Sequence, residues 1–167
     1  MTPPSHRSDI TNRQDIVRLV DAFYERIRKD DKLGPIFEDI AHVNWETHLP
    51  RMYDFWDSVI FRTGTFRGNP LVTHAKLVPM ANMGRATFDR WLTLFRETVS
   101  ELFEGTQATL IVRSAEDMAN VIHSKINQVP DPRFDPANLT PEQRARYAAY
   151  RSAQAPPSGS PCPMGRA

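Results

Sequence analysis

Apolar residues recur at helical spacing through most of the chain, and no stretch alternates convincingly enough to suggest a strand. Ile16, Val20, Phe23 and Ile27 stand three or four residues apart behind Thr11 and Gln14, which are spaced as a capping box, and Gly34-Pro35 stops the run. One amphipathic helix is predicted there. A second stripe begins near Asn44 and carries His48, Met52, Phe55 or Trp56, and Val59 before Gly64, with Pro50 either kinking that helix or marking its first turn. Asn69-Pro70 pairs a cap with a proline suited to a first helical turn, and opens a short segment, Leu71 to Leu77, closed by Pro79. Phe88, Trp91, Leu92, Phe95, Val99, Leu102 and Phe103 make a wide apolar face ending at Glu104-Gly105. Thr106 is placed to cap a last body helix carrying Leu110, Ala115, Met118, Ile122 and Ile126.

The pattern changes after Val129. Eight of the 14 prolines lie beyond it, and 155–161 is a low-complexity run, so 129–167 reads as a proline-rich, largely disordered tail behind a domain at 11–128. Within the tail, Thr140-Pro141-Glu142-Gln143 looks like the capped start of one exposed helix reaching about Ala153. The fold class predicted is all-α: four substantial helices, one short one, and a loose tail.

Charge adds little. The 21 Lys plus Arg nearly balance the 20 Asp plus Glu, so no global field advertises nucleic acid or an acidic partner. Every apolar stretch is interrupted well before the roughly 18 residues that a membrane span needs. The polar residues 1–15 lack a secretory pattern, and the single cysteine, Cys162, has no partner for an internal disulfide; a cytoplasmic protein is expected. His6, His42, His123 and Cys162 share no metal-ligand spacing, which argues against a structural metal site.

Phe23-Tyr24, Leu33 to Phe37, Trp45 with His48-Leu49-Pro50, Phe55-Trp56, Gly68-Asn69-Pro70 with His74, and Phe88 with Trp91 to Phe95 occur here in one order. That ordered set, spanning about 11–128, resembles the group III truncated haemoglobins, and the lack of any Gly-Gly pair agrees. The resemblance implies a truncated globin, a two-over-two helical sandwich around haem b. It implies His74 as the proximal iron ligand, Tyr24, His48 and Trp91 on the opposite, distal side, and Met52 facing the haem.

A neutral imidazole leaves ferrous iron able to take oxygen, carbon monoxide or nitric oxide at its sixth position. Thr73 or a nearby carbonyl could accept the other ring proton of His74 and fix its direction. Phenol and indole both donate hydrogen bonds at neutral pH, so Tyr24 and Trp91 suit a bound diatomic ligand that gains negative charge. His48, beside Leu49-Pro50, reads as a gate between pocket and solvent. Phe55 and Phe95 would serve core and cofactor together, and Arg67 and Lys76 flank His74 as candidate partners for haem propionates. A side so rich in donors would slow oxygen release, which favours nitric oxide dioxygenase or peroxidase-like chemistry over transport, with peroxide as a further ligand and a separate reductase supplying electrons. The competing reading is a non-haem helical interaction or regulatory module; a Soret band separates the two.

Overall fold

Helix α1 (Arg13–Lys29) begins where the Asn12 side chain accepts the Asp15 amide at 3.1 Å, while the Asp15 carboxylate accepts the Thr11 amide at 2.9 Å and the Thr11 hydroxyl at 3.0 Å. The box is thus one residue later than Thr11 with Gln14, because the charged Asp15 is the better acceptor beside the positive helix end. These are features of a computed structural model that describes residues 7–131 and 140–154. Past α1, the Asp30 carboxylate accepts the Lys32 and Leu33 amides and both Nε and Nη2 of Arg90, at 2.8 and 2.6 Å, tying this turn to a later helix. Gly34 is required there, since a Cβ would lie 2.8 Å from the Arg28 carbonyl oxygen.

The chain then makes one turn of π-helix, Ile36–Ile40, in which the Ala41 amide donates to the Ile36 carbonyl five residues back at 2.8 Å. Helix α2 (Trp45–Phe61) is capped by the Asn44 side chain, which accepts the Glu46 amide at 3.0 Å, and it closes on Arg62 in the left-handed conformation. Pro50 lies in its second turn, where its missing N–H leaves the Glu46 carbonyl without a helical donor, yet the helix continues through it. Helix α3 (Pro70–Ala75) is short because Asn69 caps it and Pro70 starts it, after which 76–80 are turns.

Helix α4 (Arg85–Leu102) and helix α5 (Thr106–Asn127) follow. Thr106 does not cap α5. The Asp9 carboxylate does so from the other end of the domain, accepting the Gln107 and Ala108 amides at 2.9 and 2.8 Å. A Cβ on Gly105 (φ 148°) would meet that carboxylate at 2.5 Å, so glycine is needed for space and for backbone conformation alike.

Helix α1 packs on α2 and α4, α4 packs on α5, and α5 also meets α2 and α3, giving two helix pairs laid one over the other, a two-over-two sandwich. Among the described residues there is no strand. Phe23, Trp56, Phe95 and Phe103 are the largest fully buried side chains, and burial of one such ring contributes roughly 1.5–3 kcal/mol. Trp56 stacks on Phe95 at 4.9 Å and Phe95 on Trp91 at 5.3 Å, a ladder running outward from the core.

The chain divides into two compact units, Met1–Val129 and Pro130–Ala167. In the second, helix α6 (Pro141–Gln154) starts with the expected reciprocal box: the Thr140 amide donates to Gln143 Oε1 at 2.9 Å and the Gln143 amide to Thr140 Oγ1 at 3.2 Å. The low-complexity run at 155–161, Cys162 and His6 lie outside the described residues.

Candidate functional site

The ladder of rings ends at a cavity of about 400 Å³ inside the first unit. Tyr24 of α1, the π-turn with Leu33 before it, one face of α2, all of α3 that faces inward, and Phe88 and Trp91 of α4 wall it, with Met118 and Ala119 of α5 behind. Its lining is mainly apolar and aromatic. The ionisable side chains among the lining residues are Tyr24, His48, Arg51, His74 and Lys76, and no carboxylate is among them.

His74 is half-buried on α3, with Nδ1 2.6 Å from the Pro70 carbonyl oxygen. A carbonyl only accepts, so Nδ1 carries the proton and, in the neutral ring, Nε2 keeps its lone pair. Of the two acceptors left open by the sequence, the carbonyl takes this role; the Thr73 hydroxyl instead donates to the Asn69 carbonyl at 3.1 Å. The geometry follows from local chain chemistry. Asn69 and Pro70 start the helix, and position 74 then sits one turn past position 70.

His48 lies on α2 among three aromatic rings: Tyr24 at 5.2 Å, Trp45 at 5.7 Å and Phe37 at 6.4 Å, each close to perpendicular to it. Its Nε2 is fully buried and has no hydrogen-bond partner. Burial, with Arg51 and then His74 adding to it, pushes its pKa down to about 4, so the ring is neutral at pH 7. Both imidazoles line the same cavity. The expected gate residue is thus caged rather than swung to solvent.

Tyr24 is 5 % exposed, and burial raises its pKa well above the ordinary phenol value, so it keeps its proton. Its hydroxyl makes no hydrogen bond within the described residues. Trp91 lines the same space, braced behind by Phe95 and edge-on by Phe23 at 5.2 Å, and its indole N–H is likewise unclaimed. Three polar groups, Tyr24 OH, His48 Nε2 and Trp91 Nε1, therefore share an apolar cavity with no internal partner.

The sequence-based candidates do not all reach it. Met52, Phe55 and Lys76 line the cavity. Phe95 does not, being stacked one layer behind Trp91 with no exposed surface, and Arg67 is exposed in the loop before α3, outside the lining. Sequence reasoning missed Arg51, whose position one turn past His48 on the same helix was a readable signal. It also missed Phe37 and Trp45 as cage walls, because the π-turn that places them has no sequence signature.

Among the described residues no group of three or more His, Cys, Asp or Glu side chains is placed to hold a metal ion directly. The His74 imidazole, oriented through Nδ1 with Nε2 left free, apolar walls, and cations among the lining residues at Arg51 and Lys76 suit instead a flat, largely apolar cofactor that brings its own metal and its own anionic groups.

No family model matches the chain. It is 30 % identical over 112 residues to the "Group 3 truncated hemoglobin ctb" of Campylobacter jejuni, a match spanning 65 % of this chain and 86 % of that protein. The fold superposes on the crystal structure of a group III truncated haemoglobin from Campylobacter jejuni with a TM-score of 0.65 at 28 % identity, covering 72 % of this chain and 94 % of the other.

Proposed function

Because the chain belongs to the group III truncated haemoglobins and is a globin-type haem protein, we propose that His74 is its iron ligand and that the cavity takes haem b. The observation that carries this is the Nδ1–H of His74 donating to the Pro70 carbonyl at 2.6 Å, which orients the ring and leaves Nε2 as the ligating atom. When bound, haem would supply an iron able to take a diatomic gas. Met52 and Phe55 supply apolar contact to the macrocycle, and Lys76 and Arg51 the cations for its propionates. Arg67, exposed nearby, is a weaker candidate for the same task.

Tyr24 and Trp91 bring hydrogen-bond donors to the same apolar-walled cavity as His74, on what would be its distal side, and neutral His48 supplies a third polar group. These donors stabilise a ligand that gains negative charge, oxygen above all, and carbon monoxide much less. Tight retention favours redox use of oxygen, as a nitric oxide dioxygenase or with peroxide in a peroxidase-like reaction. Electrons would then come from a separate reductase. The single cysteine fits a reducing compartment such as the cytoplasm.

Titration of the purified chain with haem tests the reading. One equivalent should bind and give a Soret band, with a five-coordinate ferrous form that takes up oxygen and carbon monoxide reversibly. A chain that takes up no haem would contradict it.

A further inference from the structure

One carboxylate outside the cavity joins three parts of its wall. Glu38 Oε1, on the π-turn, accepts Arg28 Nε of α1 at 2.8 Å and the Trp45 indole N–H, at the first residue of α2, at 3.0 Å. The Arg28 guanidinium also lies over the Trp45 ring, 5.0 Å from its centroid, and Trp45 stacks on Phe37 at 6.0 Å. Trp45 is thereby held on three counts, and it forms one wall of the His48 cage.

That cage confines a side chain with a reason to leave. His48 Nε2 is sealed from water with nothing to bond, a state whose desolvation cost would be relieved if the ring turned outward. Tyr24 and Phe37 line the cavity and Trp45 does not, so of the three rings Trp45 is the one whose displacement would let His48 turn away from the cavity. An exposed ion pair alone holds little, and Arg28 with Glu38 is such a pair. Sharing one oxygen with an indole N–H, under a cation–π contact, makes it a cooperative clasp, firm enough to bias the wall and weak enough to open.

We propose that Glu38 and Arg28 are positioning residues which, through Trp45, keep His48 turned into the cavity and so set how often a small ligand gains entry past it. The clasp itself is independent of the cofactor; its consequence for gas entry rests on the haem reading above.

Diethyl pyrocarbonate, which acylates accessible neutral imidazoles, tests the clasp on the full-length protein, with modification read residue by residue by mass spectrometry. Glu38→Ala and Trp45→Phe, which keeps a ring but removes the donor, should each speed modification of His48 about tenfold, the loss of one charge-assisted hydrogen bond. The double variant should be no faster than either single one, since both open the same clasp. Glu38→Gln retains an acceptor for the indole but loses the charge, and should fall between wild type and Glu38→Ala. Exposed His42 serves as the reference, and buried His123 should remain protected. Wild-type reactivity of His48 in both single variants, additive effects in the double, or equal loss of protection at His123 would each overturn the proposal. In haem-loaded protein the same variants should bind carbon monoxide faster in proportion. An unchanged association rate beside a reactive His48 would overturn the entry role, while failure to load haem would count against the cofactor reading and leave the modification result standing.

Discussion

The imidazole of His48 stands edge-on to the ring of Tyr24, with centroids 5.2 Å apart and planes at 87°. Among the described residues neither polar end has a hydrogen-bond partner, so both are available to a ligand in the cavity. Tyr24 carries an O–H that burial keeps protonated, so it enters the cavity as a donor. Replacing Tyr24→Phe preserves the ring and its packing while removing the donor. A hydrogen bond to a charged group contributes roughly 1.5–3 kcal/mol, so oxygen should leave about ten to a hundred times faster and carbon monoxide nearly as before. Stopped-flow release rates check this, and with Trp91→Phe added the effects should be non-additive, since both donors serve one ligand.

The Asp9 carboxylate predicts a stability effect far from the cavity. Burial raises its pKa, but the amides of Gln107 and Ala108 outweigh that and hold it below the usual value. A carboxyl whose folded pKa is depressed stabilises the fold above its unfolded pKa and loses that contribution as the pH falls through the folded one. Asp9→Ala removes the cap of α5 and should cost about 1–2 kcal/mol at pH 7, seen as a lower urea midpoint.

His123 predicts a second pH effect. It is 9 % exposed against Phe88, 5.5 Å between centroids, with Nδ1 unpartnered. Burial lowers its pKa, Arg85 lowers it further, and Asp89 opposes both. A histidine whose folded pKa is depressed stabilises the fold above its unfolded pKa, near 6.5, and loses that contribution as the pH drops below it. His123→Gln should therefore flatten the fall in unfolding free energy between pH 7.5 and 5.5 relative to wild type.

Ending the chain after Val129 should leave the haem domain intact, since the described core ends with Ile122 and the partly buried Ile126 packed on it. Haem content and melting temperature within a few degrees of full length are expected. Loss of haem in the truncated protein would mean that 130–167 contributes to the domain.

How much of this was legible in the chain follows from the distance over which each feature is made. Asn69 and the Thr140 and Gln143 box act within four residues, and each was readable as a cap, while Asn44 was readable only as the point near which the second stripe begins. Helical spacing likewise exposed the core faces of α1 and α4, and that of α5 except at Leu110, which is 41 % exposed while its neighbour Ile111 is buried. Asp9 capping α5 joins residues nearly a hundred positions apart, and no local pattern announces it. Glu38 reads as an ordinary surface acid until the π-turn sets it between Arg28 and Trp45. Phe95 misled because helical periodicity gives the inward face of α4 but not which layer of that face meets the cavity. Proline placement was only half readable, Pro70 opening its helix as expected and Pro50 lying inside one.

The central claim is that His74 Nε2 ligates the iron, and the most direct measurement is the haem content and ferrous spectrum of His74→Ala with and without added imidazole. The account predicts a sharp fall in retained haem, with the five-coordinate histidine-type spectrum lost and partly restored by free imidazole filling the vacated space. A variant that kept wild-type haem content and a wild-type five-coordinate ferrous spectrum would contradict it.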